Sequence, residues 1–403
     1  MKIAFLSFGF LPKIGGAQVF TYNLMKKLCK RGHDVDLFLP LSTFKKYNQI
    51  GNKEEFRVYP IFFNEGIVIK YSPWIISYLL STWQSIMKYD AWQIILTYPS
   101  AYVAKSLHRS VPLFLTAFGD DVQKDANLNY GLRLNSKIEN RIVESLYFID
   151  TLVAITQTVK NCYLDLNVNE DKIIEIPMGV DLKAFQVFHD KNLLKKKYKI
   201  SIDETLILTI GRYHIKKGFE IIPKVAKMLV NRNLKFRWLV VGNGVERLKP
   251  SVELSGVEDY VILDNEIGIE NVKNKIESMP SESLIALYKS ADIFVMTSLL
   301  ETFGMVLIEA MAAGLPIVST DCPGCRDIIH DGENGLLSPV NNPKKMADLV
   351  QILINDVDLR NKLVENSLKK VKNYDWDKIA KMYERLYKVR FTSFNKPSDE
   401  SPF

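Results

Sequence analysis

The chain has 403 residues, of which 47% are hydrophobic and 25% charged, and its formal net charge is +7. This composition is that of a globular protein and argues against disorder, and the length leaves room for two domains with full hydrophobic cores. The chain has four cysteines and no recognisable signal peptide, so we expect a cytoplasmic protein rather than a secreted disulfide scaffold.

Short apolar runs alternate with amphipathic segments in the first half of the chain. We predict buried strands at residues 2–8, 35–39, 93–97, 113–117 and 151–155. The first run leads through Gly15 and Gly16 into a predicted helix over 17–30, which ends with cationic residues and Gly32. Strands that are buried on both faces and separated by helices indicate a parallel, doubly wound sheet.

The same alternation starts again after a polar, lysine-rich stretch. We predict strands at 206–210, 236–241, 261–263, 293–296 and 316–319, and helices at 218–230, 283–290 and 306–313. Two similar halves predict an α/β protein of two Rossmann-like domains that face each other across a cleft. The predicted organisation is a first domain at 1–188, a linker at 189–203, a second domain at 204–375, a helix at 376–392 that returns to the first domain, and a disordered tail at 393–403.

The strongest local signal lies where the strand 293–296 leads into the helix 306–313. Glu301 lies in the turn, Gly304 marks the start of the helix, and Glu309 lies about one and a half turns inside it. The free N–H groups and the dipole of a helix N-terminus favour a phosphate. A carboxylate such as Glu309 can accept hydrogen bonds from the vicinal diol of a ribose. The alternative is a solvated helix face, but apolar neighbours favour a buried charge or one at the edge of a site.

A second signal follows the predicted strand 206–210. Gly211 is followed by Arg212 and Lys217, which can neutralise a diphosphate as a bidentate fork and as a point charge. A basic loop of this kind is also common on protein surfaces, and that alternative stays open. Gly242, after the next strand, belongs to a lone Gly-x-Gly, which by itself is more typical of a simple turn than of a binding loop.

Together these motifs resemble the retaining glycosyltransferases of the GT-B fold known as family 4. The resemblance covers nearly the whole chain. The matching motifs, in order, are Gly15-Gly16, Gly32-His33-Asp34-Val35, Ile176-Pro-Met-Gly-Val-Asp181, Gly211-Arg212 with Lys217-Gly218, Gly242-Asn-Gly244, the E-x7-E pair Glu301 and Glu309, Gly314-Leu-Pro316, and Asp331-Gly332-Glu-Asn334-Gly335.

The resemblance implies a role for each matching residue. Arg212 and Lys217 would hold the diphosphate of a nucleotide-sugar donor such as a UDP-sugar, with amides from Gly16, and Glu309 would bind the ribose. Glu301 would face the donor sugar. The remaining residues implied in donor binding are Gly211, Gly242, Phe303, Gly304 and Met305. The resemblance further implies a retaining transfer that needs neither a metal nor another cofactor, because the leaving phosphate oxygen helps to deprotonate the acceptor.

The implied acceptor is a glycan or a lipid-linked sugar, in the biosynthesis of cell-surface polysaccharide or glycolipid. The aromatic region 71–83 is interpreted either as a packed Rossmann helix or as a surface that meets a lipid-linked acceptor at an anionic membrane. The positive charge also suits nucleic acid, but no nucleic-acid-binding motif supports that partner.

The sequence departs from the family pattern in two places. Many members have a histidine before Gly-x-Asp, where this chain has Phe118, so one catalytic role is in doubt. Asp121, which matches the aspartate of that motif, is either a site residue or a helix cap. The loop 264–280 is longer and more polar than usual, so the nucleobase is not predicted. Two alternatives to a transferase follow: a nucleotide-sugar-binding protein without activity, and a GT-B-fold epimerase.

Cys322-Pro-Gly-Cys325 has the spacing of a redox motif. It lies in a loop where the family has a glycine-containing turn, and we interpret its spacing as coincidental. A zinc site is not predicted, because the chain has one such pair and dispersed histidines.

Overall fold

The computed structural model describes residues 1–51, 54–61, 73–187, 191–265 and 279–395. The chain divides into two compact units. The first comprises Met1–Met178 together with the C-terminal segment that starts at Trp376, and the second comprises Gly179–Asp375.

The first unit is built on a seven-stranded sheet with the strand order β3-β2-β1-β4-β5-β6-β7. Its strands are β1 Lys2–Ser7, β2 Asp34–Pro40, β3 Arg57–Ile61, β4 Ala91–Ile95, β5 Leu113–Thr116, β6 Thr151–Ala154 and β7 Ile173–Glu175. Its main helices are Gly16–Lys30, Leu41–Asn48, Pro73–Met87, Ser136–Phe148, Gln157–Asp165 and Trp376–Phe394. All strand pairs are parallel, and central β1 pairs with β2 on one side and β4 on the other. The continuous apolar run of β1 is therefore buried on both faces.

The second unit is built on a six-stranded parallel sheet with the order β10-β9-β8-β11-β12-β13. Its strands are β8 Thr205–Ile210, β9 Phe236–Val241, β10 Val261–Asp264, β11 Ile293–Met296, β12 Ile317–Thr320 and β13 Leu336–Ser338. Its helices are Lys191–Lys197, Ile222–Asn231, Lys249–Ser255, Glu282–Ser290, Met305–Ala313, Cys325–Ile328, Pro343–Asn355 and Val357–Val371. The fully buried Trp238 on β9 lies in a core that also takes the apolar face of Ile222–Asn231.

The predicted α/β class with two parallel Rossmann-like sheets is confirmed, and each predicted strand is present within two residues of its predicted ends. Three strands were not predicted: β3, β7 and β13. Each of them lies at the edge of its sheet and is partly exposed. An edge strand has no need of the continuous apolar run by which the central strands were recognised.

The predicted boundary at residue 188 differs from the observed end of the first unit at Met178. The segment after Met178 is held by the second unit, because the Val180 amide donates to the Tyr374 carbonyl (2.7 Å) and Phe185 lies against Tyr288. The predicted linker 189–203 is not extended throughout. It contains the helix Lys191–Lys197, from which Lys195 Nζ donates to the Glu204 carbonyl at 2.9 Å.

The C-terminal helix Trp376–Phe394 packs on the helix Gly16–Lys30 of the first unit. Phe20 contacts both Trp376 and Tyr383, with ring centroids 5.7 Å apart in each pair. The helix continues two residues beyond its predicted end at 392. The tail predicted to be disordered lies outside the described residues from 396 onward.

Candidate active site

The ends of β8 and β9 approach each other closely, and Gly242 permits this. The Gly211 amide donates to the Val241 carbonyl at 2.9 Å, and the Tyr213 amide donates to the Asn243 carbonyl at 2.8 Å. A Cβ on Gly242, whose φ is +144°, would lie 2.1 Å from the Gly211 carbonyl oxygen. Gly242 is thus required by close backbone approach, which is more than the simple turn its lone motif suggested.

The basic loop that follows Gly211 is bonded to the loop that carries Glu301. The Leu299 amide donates to the Lys216 carbonyl at 2.7 Å, and Thr297 Oγ1 donates to the Lys217 carbonyl at 2.8 Å. Gly218 has a φ of +60°, and a Cβ there would lie 2.3 Å from the Thr297 carbonyl oxygen. Backbone contacts of this kind place Lys217 beside Glu301, although the two residues are 84 positions apart in the sequence.

Lys217 and Glu301 form a nearly buried ion pair between Nζ and Oε2. The Glu301 side chain is 9% exposed and that of Lys217 is 18% exposed. Burial alone would raise the pKa of Glu301, but the ammonium groups of Lys217 and Lys216 and the Thr302 amide lower it to about 2. Glu301 is therefore ionised at neutral pH, and the cation expected to meet a diphosphate is fixed beside the carboxylate expected to meet the sugar.

The Cys322-Pro-Gly-Cys325 turn supports the backbone of Glu301 from the other side. The Glu301 amide donates to the Pro323 carbonyl at 3.2 Å. A Cβ on Gly324, whose φ is +82°, would lie 2.5 Å from the Glu301 carbonyl oxygen. The two thiols are buried and reduced, with their Sγ atoms 3.4 Å apart. The turn therefore has a structural role at the site, which its cysteine spacing did not suggest.

The helix Met305–Ala313 begins directly after this loop. Gly304, the residue that precedes the helix, has a φ of +82° and no side chain that could cap the first helical amides. Phe303 is buried, with its ring 6.0 Å from that of Tyr374, and Met305 is the first helical residue. These three residues thus join the loop of Glu301 to the helix that carries Glu309.

Glu309 is 6% exposed and lies on the same helix. Tyr288, on the helix Glu282–Ser290, donates from its hydroxyl to Glu309 Oε2 at 2.7 Å. Burial raises the pKa of Glu309 to about 7, although this hydrogen bond lowers it in part. The alternative that Glu309 lies on a solvated helix face is therefore wrong, because its carboxylate is buried and accepts a hydrogen bond from the Tyr288 hydroxyl.

Arg212 is exposed, and no ion pair or hydrogen bond of its side chain occurs within the described parts of the chain. Its guanidinium differs in this respect from Lys217, whose charge is already matched by Glu301. The exposed guanidinium of Arg212 at the end of β8 is therefore available to an anionic ligand.

The remaining predicted site residues lie in the first unit. Gly16 begins the helix after β1, with Gly15 extended before it. The Phe118 ring packs on Phe20 at 5.0 Å, so it contributes to an aromatic core. Asp121 is fully buried and accepts from the amides of Thr97 (2.9 Å), Phe118 (3.0 Å) and Gly119 (2.9 Å).

Of the two roles considered for Asp121, the helix cap is wrong, since its carboxylate binds amides that precede it in the chain. It ties the loop after β4 to the loop after β5. Burial, together with the nearby Asp120, raises its pKa to about 6, although the three amides act in the opposite direction.

Three residues that contact or support the site in the second unit were not predicted from the sequence. These are Tyr288, Lys216 and Gly324. Gly324 had a usable signal, because a glycine between two turn residues often has a positive φ. Tyr288 had none, because a tyrosine on an amphipathic helix is an ordinary core residue.

Comparison with known proteins assigns the chain to a class of enzyme. Residues 14–184 match the family model described as Glycosyltransferase Family 4, and residues 190–370 match the one described as Glycosyl transferases group 1. An uncharacterized glycosyltransferase of Methanocaldococcus jannaschii is 25% identical over 96% of this chain and 98% of its own length. A D-inositol 3-phosphate glycosyltransferase of Corynebacterium diphtheriae is 24% identical over 96% of this chain and 94% of its own.

The fold is also that of solved structures. The Anabaena protein HepE, crystallised with UDP-glucose, matches 96% of this chain and 100% of its own with a TM-score of 0.76 and 17% identity. The two family models lie on the two parallel-sheet units, one on each, and together they span most of the chain. The chain is therefore a glycosyltransferase with the GT-B fold.

Proposed function

We propose that this enzyme transfers a sugar from a nucleoside-diphosphate sugar to a glycan or lipid-linked acceptor, with retention at the anomeric carbon and without a metal. The observation that carries the proposal is the ion pair of Lys217 with Glu301 beside the start of the helix Met305–Ala313. A fixed cation and the amides at a helix N-terminus suit a phosphate, and the two buried carboxylates of the same unit, Glu301 and Glu309, suit the hydroxyls of a sugar and of a ribose.

The donor half of the proposal follows from the charges. Lys217 is paired with Glu301, whereas the Arg212 side chain has no ion pair within the described residues. We assign the diphosphate to both cations, and Arg212 is free to move onto it. Glu309 would accept from the ribose, and Glu301 would face the sugar. The UDP-glucose in HepE supports a UDP-sugar as the first donor to test.

The leaving group also determines how the reaction is catalysed in this proposal. As the bond to the anomeric carbon breaks, negative charge develops on the diphosphate, and preorganised positive groups stabilise it. Lys217 is held in position before the substrate arrives, so little reorganisation is needed. A leaving phosphate oxygen that takes the acceptor proton on the same face gives retention, and no side-chain nucleophile is then required.

We base the proposal of a lipid-linked acceptor on the helix Pro73–Met87 of the first unit. This helix carries no charged residue, and it exposes Trp74 (68%) and Tyr78 (70%). Exposed aromatic side chains on an uncharged helix face suit the interface of a lipid bilayer. Within the part of the chain that the structure describes, no helix is long and apolar enough to cross a membrane. We therefore propose peripheral contact with an anionic membrane at the cytoplasmic face, in the synthesis of surface polysaccharide or glycolipid.

A donor-binding experiment tests the assignment. Thermal shift with a panel of nucleotide sugars selects the donor, because a ligand that binds only the folded state raises the melting temperature. Glu309→Ala should then weaken that donor by about ten- to a hundredfold, since a hydrogen bond to a charged group is worth about 1.5–3 kcal/mol. Glu253→Ala, at an exposed carboxylate of the same unit, is the matched control and should leave binding unchanged.

Wild-type affinity in Glu309→Ala would disprove the ribose assignment. Release of a sugar that is an epimer of the donor sugar, without any acceptor, would instead indicate the epimerase alternative.

A further inference from the structure

Tyr288 lies in the core of the second unit with its hydroxyl beside the candidate donor site. It is fully buried on the helix Glu282–Ser290, and its ring lies 5.8 Å from Phe294 and 6.0 Å from Phe185 between centroids. A tyrosine hydroxyl in apolar surroundings needs a hydrogen-bond partner. Here the partner is Glu309 Oε2, at 2.7 Å.

Glu309 itself is an unusual buried group. The residues that flank it on the helix, Ile308 and Ala310, are fully buried and apolar. The other carboxylate oxygen, Oε1, accepts no hydrogen bond from the described residues. An ionised carboxylate only accepts hydrogen bonds, and one hydroxyl donor satisfies only a part of its capacity. Such a group is costly unless water or a ligand completes it, and Oε1 is not among the fully buried side-chain atoms that lack a partner.

We propose that Tyr288 is a positioning residue, which holds Glu309 by Oε2 so that Oε1 accepts from the ribose diol of the donor. This inference rests on the ribose assignment in the proposed function. It adds a second residue to that assignment, on a different helix, which contacts no substrate. The chemistry it serves is recognition of a 2′,3′-diol rather than of the nucleobase or the sugar.

The titration of Glu309 provides a readout that a merely structural tyrosine would not change. Burial raises the pKa of Glu309 to about 7 and the Tyr288 hydroxyl lowers it. The pKa of Tyr288 is raised well above its ordinary value, so its hydroxyl stays a donor. Helices Cys325–Ile328 and Val357–Val371 and strand β12 also pack on Met305–Ala313, and no charged group of these described elements contributes to the pKa of Glu309.

The experiment compares each ribonucleoside diphosphate with its 2′-deoxy counterpart, for UDP, GDP and ADP, by calorimetry between pH 5.5 and 9. In the wild type the preference for the ribo form should increase as pH rises through about 7, because Glu309 becomes the better acceptor when ionised. Tyr288→Phe should reduce that preference at pH 7 by about tenfold, by loss of a hydrogen bond to a charged group. Its midpoint should also move to higher pH, since the group that lowers the pKa is gone.

Tyr387→Phe is the matched control, because its buried hydroxyl donates to Gln93 Oε1 (2.8 Å) in the first unit. It should behave as the wild type. The inference is overturned if Tyr288→Phe keeps both the ribo preference and its midpoint while Glu309→Gln loses the preference. If Glu309→Gln keeps the preference, or no diphosphate binds, the ribose assignment fails and the inference with it. Should Tyr288→Phe not fold, a wild-type preference that stays flat from pH 5.5 to 9 overturns the inference by itself.

Discussion

Removal of Lys217 is the perturbation that probes the candidate site most sharply. In Lys217→Met the aliphatic stem is largely kept and the ammonium is lost. Glu301, whose side chain is 9% exposed, would then lose its ion pair with Lys217. Removal of one partner of a buried ion pair is strongly destabilising, at about 3–5 kcal/mol.

The pKa of Glu301 gives a similar value for the contribution of its charged partners to the free energy of unfolding. Its lowering from 4.5 to about 2 corresponds to about 3 kcal/mol, at about 1.36 kcal/mol for each pKa unit. Because the folded pKa lies below the unfolded one, this stabilisation is present above about pH 4.5 and is lost as the pH falls toward 2. Lys217→Met should abolish most of that acid-range dependence.

Urea unfolding followed by circular dichroism measures the effect in the full chain. Lys217→Met and Glu301→Gln should each lower the midpoint, and the double variant should be less destabilised than the sum of the two. The control is Lys235→Met, because Lys235 and its partner Asp203 are exposed and such pairs contribute little. If Lys217→Met had wild-type stability and lost it at low pH as the wild type does, the buried ion pair would be refuted.

Three further variants test separate contacts. Arg212→Ala should weaken nucleoside diphosphate binding more than monophosphate binding, by calorimetry, and equal losses would show that the guanidinium does not bind the second phosphate. Gly324→Ala should cost about 1–3 kcal/mol in urea unfolding. Gly332→Ala, with φ +72° and open space at the Cβ position, should cost less, and equal costs would remove the Glu301 contact as the cause. The contribution of Asp121 to wild-type stability should be lost as the pH rises from about 4 to 6, because the pKa of its carboxyl is raised from 3.8 in the unfolded chain to about 6 in the folded one, and Asp121→Asn should remove this part of the pH dependence. A decrease of the urea midpoint over this pH range that is as large in the variant as in the wild type would contradict that pKa.

The sequence predicted those parts of the fold that depend on burial over a short window. The strands β1, β8 and β9 are mostly apolar and largely buried, and their continuous apolar runs show this. Edge strand β13 has three residues and one exposed edge, so it has no such pattern. The helix Lys191–Lys197 was taken for linker because its lysines mark a polar surface, whereas Lys195 buries its stem and bonds to a backbone carbonyl.

For the site, the sequence located residues whose roles depend on chain-local geometry. Gly304 at the start of a helix and Arg212 at the end of a strand could be placed from neighbouring residues alone. Pairings between distant segments could not be placed. Lys217 with Glu301, and Tyr288 with Glu309, are created by the parallel packing of β8 beside β11 and of one helix beside another. No periodicity within either segment records these contacts.

The anomeric configuration of the product tests most directly whether the enzyme transfers a sugar with retention and without a metal at the Lys217–Glu301 site. An α-linked nucleotide sugar selected by the thermal-shift panel is incubated with enzyme in excess EDTA, with acceptor or with water alone, and followed by proton NMR. We predict an α-configured product, or α-sugar released before mutarotation, and loss of this product in Glu301→Gln but not in Glu253→Gln. A β-configured first product, or activity that disappears with EDTA and returns with Mg²⁺, would contradict it.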